Sequence, residues 1–475
     1  MKHSSLLVVA LFSALNFVLA NGGYRIEVTI DDYESEQLLL AYHLGDKQYI
    51  QDTVERNAQG KFVFEGEEKL PCGIYLLVMQ PENQFFQILV DEQDQEFSVH
   101  TQKAAPLEKA RFSGSTDNSI FYAYLQYLND KRPEAEKLKQ EISEKPDQQA
   151  KLEKKLERLN QEVADYQHKV VADNPGTLTA AIIKANLNVD MPEFEGSEEE
   201  VRALQWRYLQ NHYFDNLDLG NRCMCRTPFL FQRVDYFINK LQIQHPDTIS
   251  KAIDFVLEKM RPADENFKFY LIHFLNEFAK SKMVGMDAVY VHLVDKYYAK
   301  GQAPWVEEDQ LKKIVENAEK LKPLLIGKTA PDIRLQKRDG TPISLHEVDA
   351  EYTILYFWRY DCGHCKKSTP MMKEFYEKFK DKGVKIVAVC TKFMDEVPDC
   401  WKYIDDNGIQ DWLHTIDQYH QSKFMKIYDI QTTPQIYILD RNKEIISKRI
   451  GAEQLEEVLG RIIEMKQKEA AEGLD

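Results

Sequence analysis

The stretch Tyr352 to Pro370, YTILYFWRYDCGHCKKSTP, decides how the rest of the chain is read. Its first seven residues are apolar or aromatic almost throughout, the mark of a short strand buried on both faces. From Cys365 to Phe379 the pattern turns helical. Cys362-Gly363-His364-Cys365 lies between the two. A cysteine that leaves a buried strand and opens a helix meets unpaired backbone N–H groups and the positive end of the helix dipole. Both favour thiolate over thiol. In that setting a C-x-x-C pair is a redox motif. His364 adds a second positive or hydrogen-bonding group when it is protonated.

The magnitude of that activation is limited. A thiol of pKa about 8.5 is roughly 3% ionised at pH 7, and one of pKa about 6 roughly 90%, a gain of about 30-fold. A Brønsted slope of about 0.45 returns about 13-fold of it in lost nucleophilicity. The larger benefit is that a low-pKa sulfur leaves readily. His364 is therefore expected to make a Cys362–Cys365 disulfide easier to reduce than a proline there would.

Downstream, Val384 to Val389 reads as a second buried strand. Gln435 to Leu439 and Glu444 to Ser447 flank an Asp440-Arg441-Asn442 turn. Glu453 to Met465 reads as a closing helix, with Leu455, Val458, Leu459 and Ile462 on one face. Thr432-Thr433-Pro434 precedes the third strand, and its X-Pro bond is a candidate for cis. Gly327 to Leu345 reads as a loop and hairpin turning at Asp339-Gly340.

Upstream of Pro323 the pattern is helical back to Ser115. Leu152, Leu156, Leu159, Val163, Tyr166 and Val170 recur at alternating spacings of four and three. This heptad seam is short, so an internal helix hairpin turning near Pro146 is expected rather than an intermolecular coiled coil. The aromatics of the later helices, and His212, His245, His273 and His292, read as core or surface residues. From Tyr24 to Thr101 short alternating strands with Gly, Asn and Asp between them suggest a small β-sandwich or open barrel.

The sequence-based expectation is thus a multidomain α+β chain. It has a signal peptide over 1–20, a β-sandwich-like domain over 21–114, an all-α region over 115–322 and an α/β domain over 323–475. The 475 residues suit about three domains. A balance of 61 basic against 77 acidic residues argues against nucleic acid, whose phosphates need clustered Lys and Arg. Lys2 and His3 precede an apolar run from Leu6 to Leu19, and Val18-Leu19-Ala20 offers a cleavage site before Asn21. The run is short for a spanning helix, which needs about 20 residues. No transmembrane span is expected after cleavage. The compartment expected is a bacterial periplasm, which is oxidising.

Residues 325 to 467 resemble the thioredoxin superfamily, and within it the envelope branch typified by TlpA and ResA. The matching residues are Gly327 to Asp332, Asp339-Gly340, Phe357-Trp358, Cys362 to Cys365, Pro370 and Thr433-Pro434. The earlier parts more weakly resemble the β domain and helical region that precede such modules in Bacteroidetes-type envelope proteins. The resemblance implies that Cys362 attacks, Cys365 resolves, and Thr433, Pro434 and Trp358 meet an extended substrate strand. It implies a thiol–disulfide oxidoreductase acting on a cysteine-containing client, reset by a separate redox partner, without a cofactor or metal.

Three departures matter. Tyr356 stands where thioredoxin carries a buried Asp, and Ser368 where the ResA branch carries a Glu. Asp361 stands where an aromatic is common, and its charge is expected to oppose the thiolate. The same cysteines do not suit c-type haem, because Lys366 occupies the place of the required His. Nor do they suit zinc, because no second C-x-x-C exists. A scaffold with a mainly structural thioredoxin-like domain, and a peroxide-reducing enzyme, are the rival readings. The pairing of Cys72, Cys223, Cys225, Cys390 and Cys400 is open. Cys390 reads as a small buried hydrophobe, although a Cys390–Cys400 bridge lies within the module's reach.

Overall fold

The computed structural model describes residues 22–93 and 95–472. The leader expected over 1–20 lies outside the described residues. The chain forms two compact units, Met1–Leu241 with Glu258–Phe267 and Gln242–Leu257 with Lys268–Asp475.

The first unit opens with β1 (Tyr24–Asp31), β2 (Gln37–Leu44), β3 (Lys47–Glu55), β4 (Phe62–Gly66), β5 (Gly73–Met79), β6 (Gln84–Val90), β7 (Glu96–Gln102), α1 (Pro106–Lys109) and β8 (Arg111–Ser113). These strands form two four-stranded sheets, ordered β4-β1-β7-β8 and β3-β2-β5-β6. In β1 the alternation is clean: Ile26, Val28 and Ile30 are buried, and the residues between them are not. The β2–β3 hairpin is absent from the sequence reading. β2 is a run of Leu rather than an alternation, and most of β3 is exposed on both faces. One signal did point to it: Gly45-Asp46 is a two-residue turn with Gly45 at φ 63°, the form that favours hairpins.

α2 (Thr116–Glu144) and α3 (Gln149–Asp173) follow, joined through Pro146–Gln148. The predicted seam is used within the chain. Leu152, Leu156 and Leu159 pack with Leu138 and Ile142 of α2, and Tyr166 stacks on Tyr127 with ring centres 3.9 Å apart. Asp117 at the start of α2 accepts from the backbone N–H groups of Leu178 and Thr179, which open α4 (Leu178–Asn186). α5 (Glu198–His212) and α6 (Pro228–Asn239) complete this part, followed by α7 (Pro246–Met260), α8 (Asp264–Ala279), α9 (Asp287–Leu293) and α10 (Glu308–Leu321).

A disulfide joins Cys72, just before β5, to Cys223, in a 3-10 turn 151 residues later. The approach there is close. A Cβ on Gly73 would lie 2.3 Å from Cβ of Arg226, whose guanidinium is paired with Glu265. Cys225 remains a buried free thiol, and burial pushes it up to about 12.

In the second unit the C-terminal elements are β9 (Arg334–Gln336), β10 (Pro342–Ser344), β11 (Tyr352–Trp358), α11 (Gly363–Phe379), β12 (Val384–Cys390), α12 (Val397–Asn407), β13 (Leu413–Thr415), α13 (Phe424–Ile427), β14 (Gln435–Leu439), β15 (Ile445–Lys448) and α14 (Leu455–Glu472). Five strands make one sheet in the order β13-β12-β11-β14-β15. β11 is central, parallel to β12 and antiparallel to β14, and all seven of its residues are buried. One face carries Tyr352, Ile354, Tyr356 and Trp358 into a core shared with Cys365, Met372 and Phe375 of α11. The other carries Leu355 and Phe357 onto Phe424, Tyr428 and Tyr437.

Two ties hold this unit beyond its secondary structure. Cys390 and Cys400 form a disulfide between the end of β12 and α12, both almost wholly buried. Cys390 is thus a cross-link rather than the free hydrophobe that its position in the strand suggests. Lys448, buried at the end of β15, donates to the carboxylate of Asp287 and to the carbonyl of Leu324, each at 2.5 Å. The segment after Leu324 also covers the edge of β15: Gly327 N–H donates to the Ile445 carbonyl, and Ile445 N–H to that of Lys328. Among the described residues no helix is long and apolar enough to cross a membrane.

Candidate active site

Cys362 is the N-cap residue of α11, with an extended backbone (φ −82°, ψ 121°) that releases it from the helix. The chain reaches it directly from the central strand, so a rigid sheet fixes its position. Its Sγ is half-buried and lies 3.2 Å from the carbonyl oxygen of Thr433, to which the thiol donates. The Thr433–Pro434 bond is cis, and it leads straight into β14, the neighbour of β11. Two segments 71 residues apart in sequence therefore meet at one sulfur atom.

The two thiols have opposite surroundings. Burial alone would raise the Cys362 thiol. The side chain of Thr433, the backbone N–H of Cys365, the Cys365 side chain and the backbone N–H of His364 outweigh that and lower it. Cys365 is completely buried, and burial pushes it up to about 12 with Cys362 adding to the rise. The outer sulfur is thus prepared to be an anion and the inner one is not.

His364 contributes through its backbone N–H, while its exposed ring lines a groove beside the motif. That groove has a volume of ≈ 760 Å³. Lys367, Ser368 and Met371 of α11 form one wall, Gln431 to Pro434 the second, and Arg449 to Glu453 the third. Met371 is 44% exposed there. Trp358 does not reach this groove. It is 1% exposed and packs beneath the motif against Tyr403 and His414. Because β11 is buried on both faces, nothing in its sequence pattern separates inward from outward positions.

Asp361 is not the isolated negative charge that its position suggests. Arg359 and Lys392 each approach its carboxylate to 3.0 Å, and Lys392 also holds Glu396 at 2.6 Å. Burial would raise the Asp361 carboxyl, but Lys392 and Arg359 hold it below its usual value. Lys392 was not singled out by sequence reading; it follows the end of β12 and comes to the motif only because Thr391 N–H donates to the Trp358 carbonyl. Removing it exposes the thiolate to an unmasked carboxylate. Lys392→Ala is expected to raise the Cys362 pKa, because the Asp361 charge beside it is then less masked. The pH profile of Cys362 alkylation by iodoacetamide measures this, and an unchanged midpoint would show that Arg359 suffices.

His212, His245, His273 and His292 have local partners. His212 pairs with Asp215, and His292 with Asp254, which also holds Lys296. Among the described residues, the one cluster with metal-ligand proximity is Cys72, Glu92 and Cys223, and two of its members are already joined in a disulfide.

Comparison with known proteins converges on the same segment. Residues 326–448 match the AhpC/TSA family. Residues 24–121 and 142–322 match two families described as domains of unknown function, DUF4369 and DUF5106. The thiol-disulfide oxidoreductase ResA of Bacillus thuringiensis subsp. konkukian is 31% identical over 140 residues, covering 29% of this chain and 78% of that protein. The ResA of Oceanobacillus iheyensis is 29% identical over 139 residues, covering 28% of this chain and 70% of that protein. A solved domain of a possible thiol-disulfide isomerase from Cytophaga hutchinsonii is 38% identical, covering 31% of this chain and 98% of its own, with a TM-score of 0.29.

Proposed function

Since the chain belongs, through its C-terminal domain, to the thioredoxin-like thiol-disulfide oxidoreductases typified by ResA, we propose that it exchanges disulfides with protein clients through Cys362 and Cys365. The observation that carries this reading is the division between the two thiols. Cys362 is accessible, sits at a helix start and is lowered; Cys365, three residues on, is enclosed and raised. In the reducing direction the Cys362 thiolate attacks a client disulfide and one client sulfur leaves. Cys365 then attacks Cys362 Sγ, which frees the second client sulfur and leaves the Cys362–Cys365 disulfide. The oxidising direction is the same sequence reversed. The client lies extended in the groove, against Thr433, Pro434 and Met371. The β and helical parts orient the client or the module.

An exported, oxidising location is part of the same proposal. The apolar run from Leu6 to Leu19 has the form of a secretory leader. Two disulfides outside the motif, Cys72–Cys223 and Cys390–Cys400, suit such a compartment.

The test is the reduction potential of the Cys362–Cys365 pair, measured in glutathione buffers with trapped thiols mapped by mass spectrometry and Cys362→Ala as control. A value above about −200 mV assigns an oxidant or isomerase, and one near −270 mV a reductant. A pair that does not exchange with glutathione removes the enzymatic role for this motif.

A further inference from the structure

The resolving step needs a thiolate at Cys365, and the site described so far has no base for it. Cys365 is completely buried and pushed up to about 12. The positions where related proteins carry a carboxylate hold Tyr356 and Ser368.

Around Cys365 lie the Arg359 backbone, the Cys362 sulfur and the Thr433 side chain, and Tyr356 shares its core cluster. Tyr356 projects from β11 into the same core cluster as Cys365 and is 1% exposed. Its hydroxyl is buried and makes no hydrogen bond, although Thr369 lies beside it. The titratable groups bearing on it are Cys365 first, then Tyr403 and Cys362. Thr369, one helical turn after Cys365, donates to the Cys365 carbonyl at 3.0 Å and lies 3.1 Å from the Tyr403 hydroxyl. Tyr403, on α12, is only partly buried. Burying a hydroxyl without a partner is unfavourable, and the Tyr356 hydroxyl is free to take one up during the reaction.

We propose that Tyr356, Thr369 and Tyr403 form a hydroxyl chain that carries the Cys365 proton to solvent in the resolving step. This rests on the exchange mechanism proposed above. The Cys365 S–H proton passes to the Tyr356 oxygen as the Tyr356 proton passes to Thr369, that of Thr369 to Tyr403 and that of Tyr403 to water. Each hydroxyl ends neutral. Thr369 takes part by rotating its proton from the Cys365 carbonyl toward Tyr403. The Cys365 thiolate then attacks Cys362 Sγ of the mixed disulfide. The Cys362–client bond breaks, the Cys362–Cys365 bond forms, and the client sulfur leaves with the bonding pair and takes a proton from water. The client disulfide is the oxidant, and the enzyme dithiol is oxidised. Before that attack, as the Cys365 thiolate forms, Tyr356 donates its hydrogen bond to it.

The experiment mixes the reduced full-length protein with 5,5′-dithiobis(2-nitrobenzoate) in a stopped-flow instrument. Attack by Cys362 releases the first coloured thiolate and attack by Cys365 the second. In Tyr356→Phe the first phase is expected to keep its rate, while the second slows by about 100-fold or more. The deficit should shrink as pH rises and hydroxide takes over. Tyr403→Phe should show the same pattern more weakly. A merely structural Tyr356 predicts the reverse, since deleting an unpaired buried hydroxyl should leave the fold at least as stable and the second phase unchanged. An unchanged second phase, or an equal slowing of both phases, overturns the chain of hydroxyls and leaves the exchange mechanism standing. Absence of the first phase overturns both.

Discussion

Cys365→Ser is expected to leave the protein joined to its disulfide substrate through Cys362, in a form that outlives the wild-type intermediate by more than about 10⁴-fold. The estimate follows from the environment of the inner thiol. At a pKa of about 12, only about one Cys365 in 10⁵ is ionised at pH 7. A well-oriented intramolecular nucleophile nevertheless acts at an effective molarity of about 10⁵ to 10⁸ M. The product corresponds to at least about 1 M of thiolate. A free thiol at about 1 mM with roughly 3% ionised supplies only about 3 × 10⁻⁵ M. Serine matches cysteine in size and removes the nucleophile, so the attack of Cys362 should persist. Non-reducing gels and mass spectrometry of the adduct read out the lifetime and identify the client from its tryptic peptides. Release from Cys365→Ser at the wild-type rate would show that a second client thiol, not Cys365, resolves the intermediate.

Removing the Cys72–Cys223 bond is expected to destabilise the first unit by about 3 to 5 kcal/mol. The bond closes a loop of 151 residues, for which the chain-entropy relation gives about 5 kcal/mol as the upper figure. The contacts around it set the lower figure. The close approach of Gly73 to Arg226 and the Arg226–Glu265 ion pair persist without the cross-link and hold the same segments together. The double variant Cys72→Ala/Cys223→Ala is the right form, because either single change leaves a thiol beside Cys225. Chemical denaturation should show the loss, while reduction of a small aromatic disulfide at Cys362 stays at its wild-type rate. An unfolding midpoint equal to that of the wild type would mean that the bond constrains little.

What could be read in the sequence follows from what was local. The strand Tyr352–Trp358, the helix after it and the strand Gln435–Leu439 each carry their own pattern, and the structure places them where that pattern put them. The helix hairpin was legible because Leu152, Leu159 and Val170 repeat at helical spacing and Pro146 marks a break. The features missed depend on distant partners. Nothing near Cys72 names Cys223. Nothing near Lys448 names Asp287, 161 residues away. Asp361 reads as a hostile charge until Lys392 comes to it from the end of the next strand. Trp358 and Tyr356 share the face that turns toward α11, a direction that a strand buried on both sides does not disclose.

Lys448 bears on where the gene can be cut. An edge strand is normally protected from pairing with other chains by a solvated lysine or by a covering segment. In β15 the lysine points inward to Asp287 and Leu324, and Gly327 and Lys328 supply the cover. An expression fragment beginning at about residue 330 would lose the cover and the counter-ion together. It would present a bare strand edge next to a buried ammonium, with self-association and poor solubility as the outcome. A fragment meant to keep the exchange chemistry in soluble form should begin ahead of Asp287, within the helical segment that supplies this carboxylate.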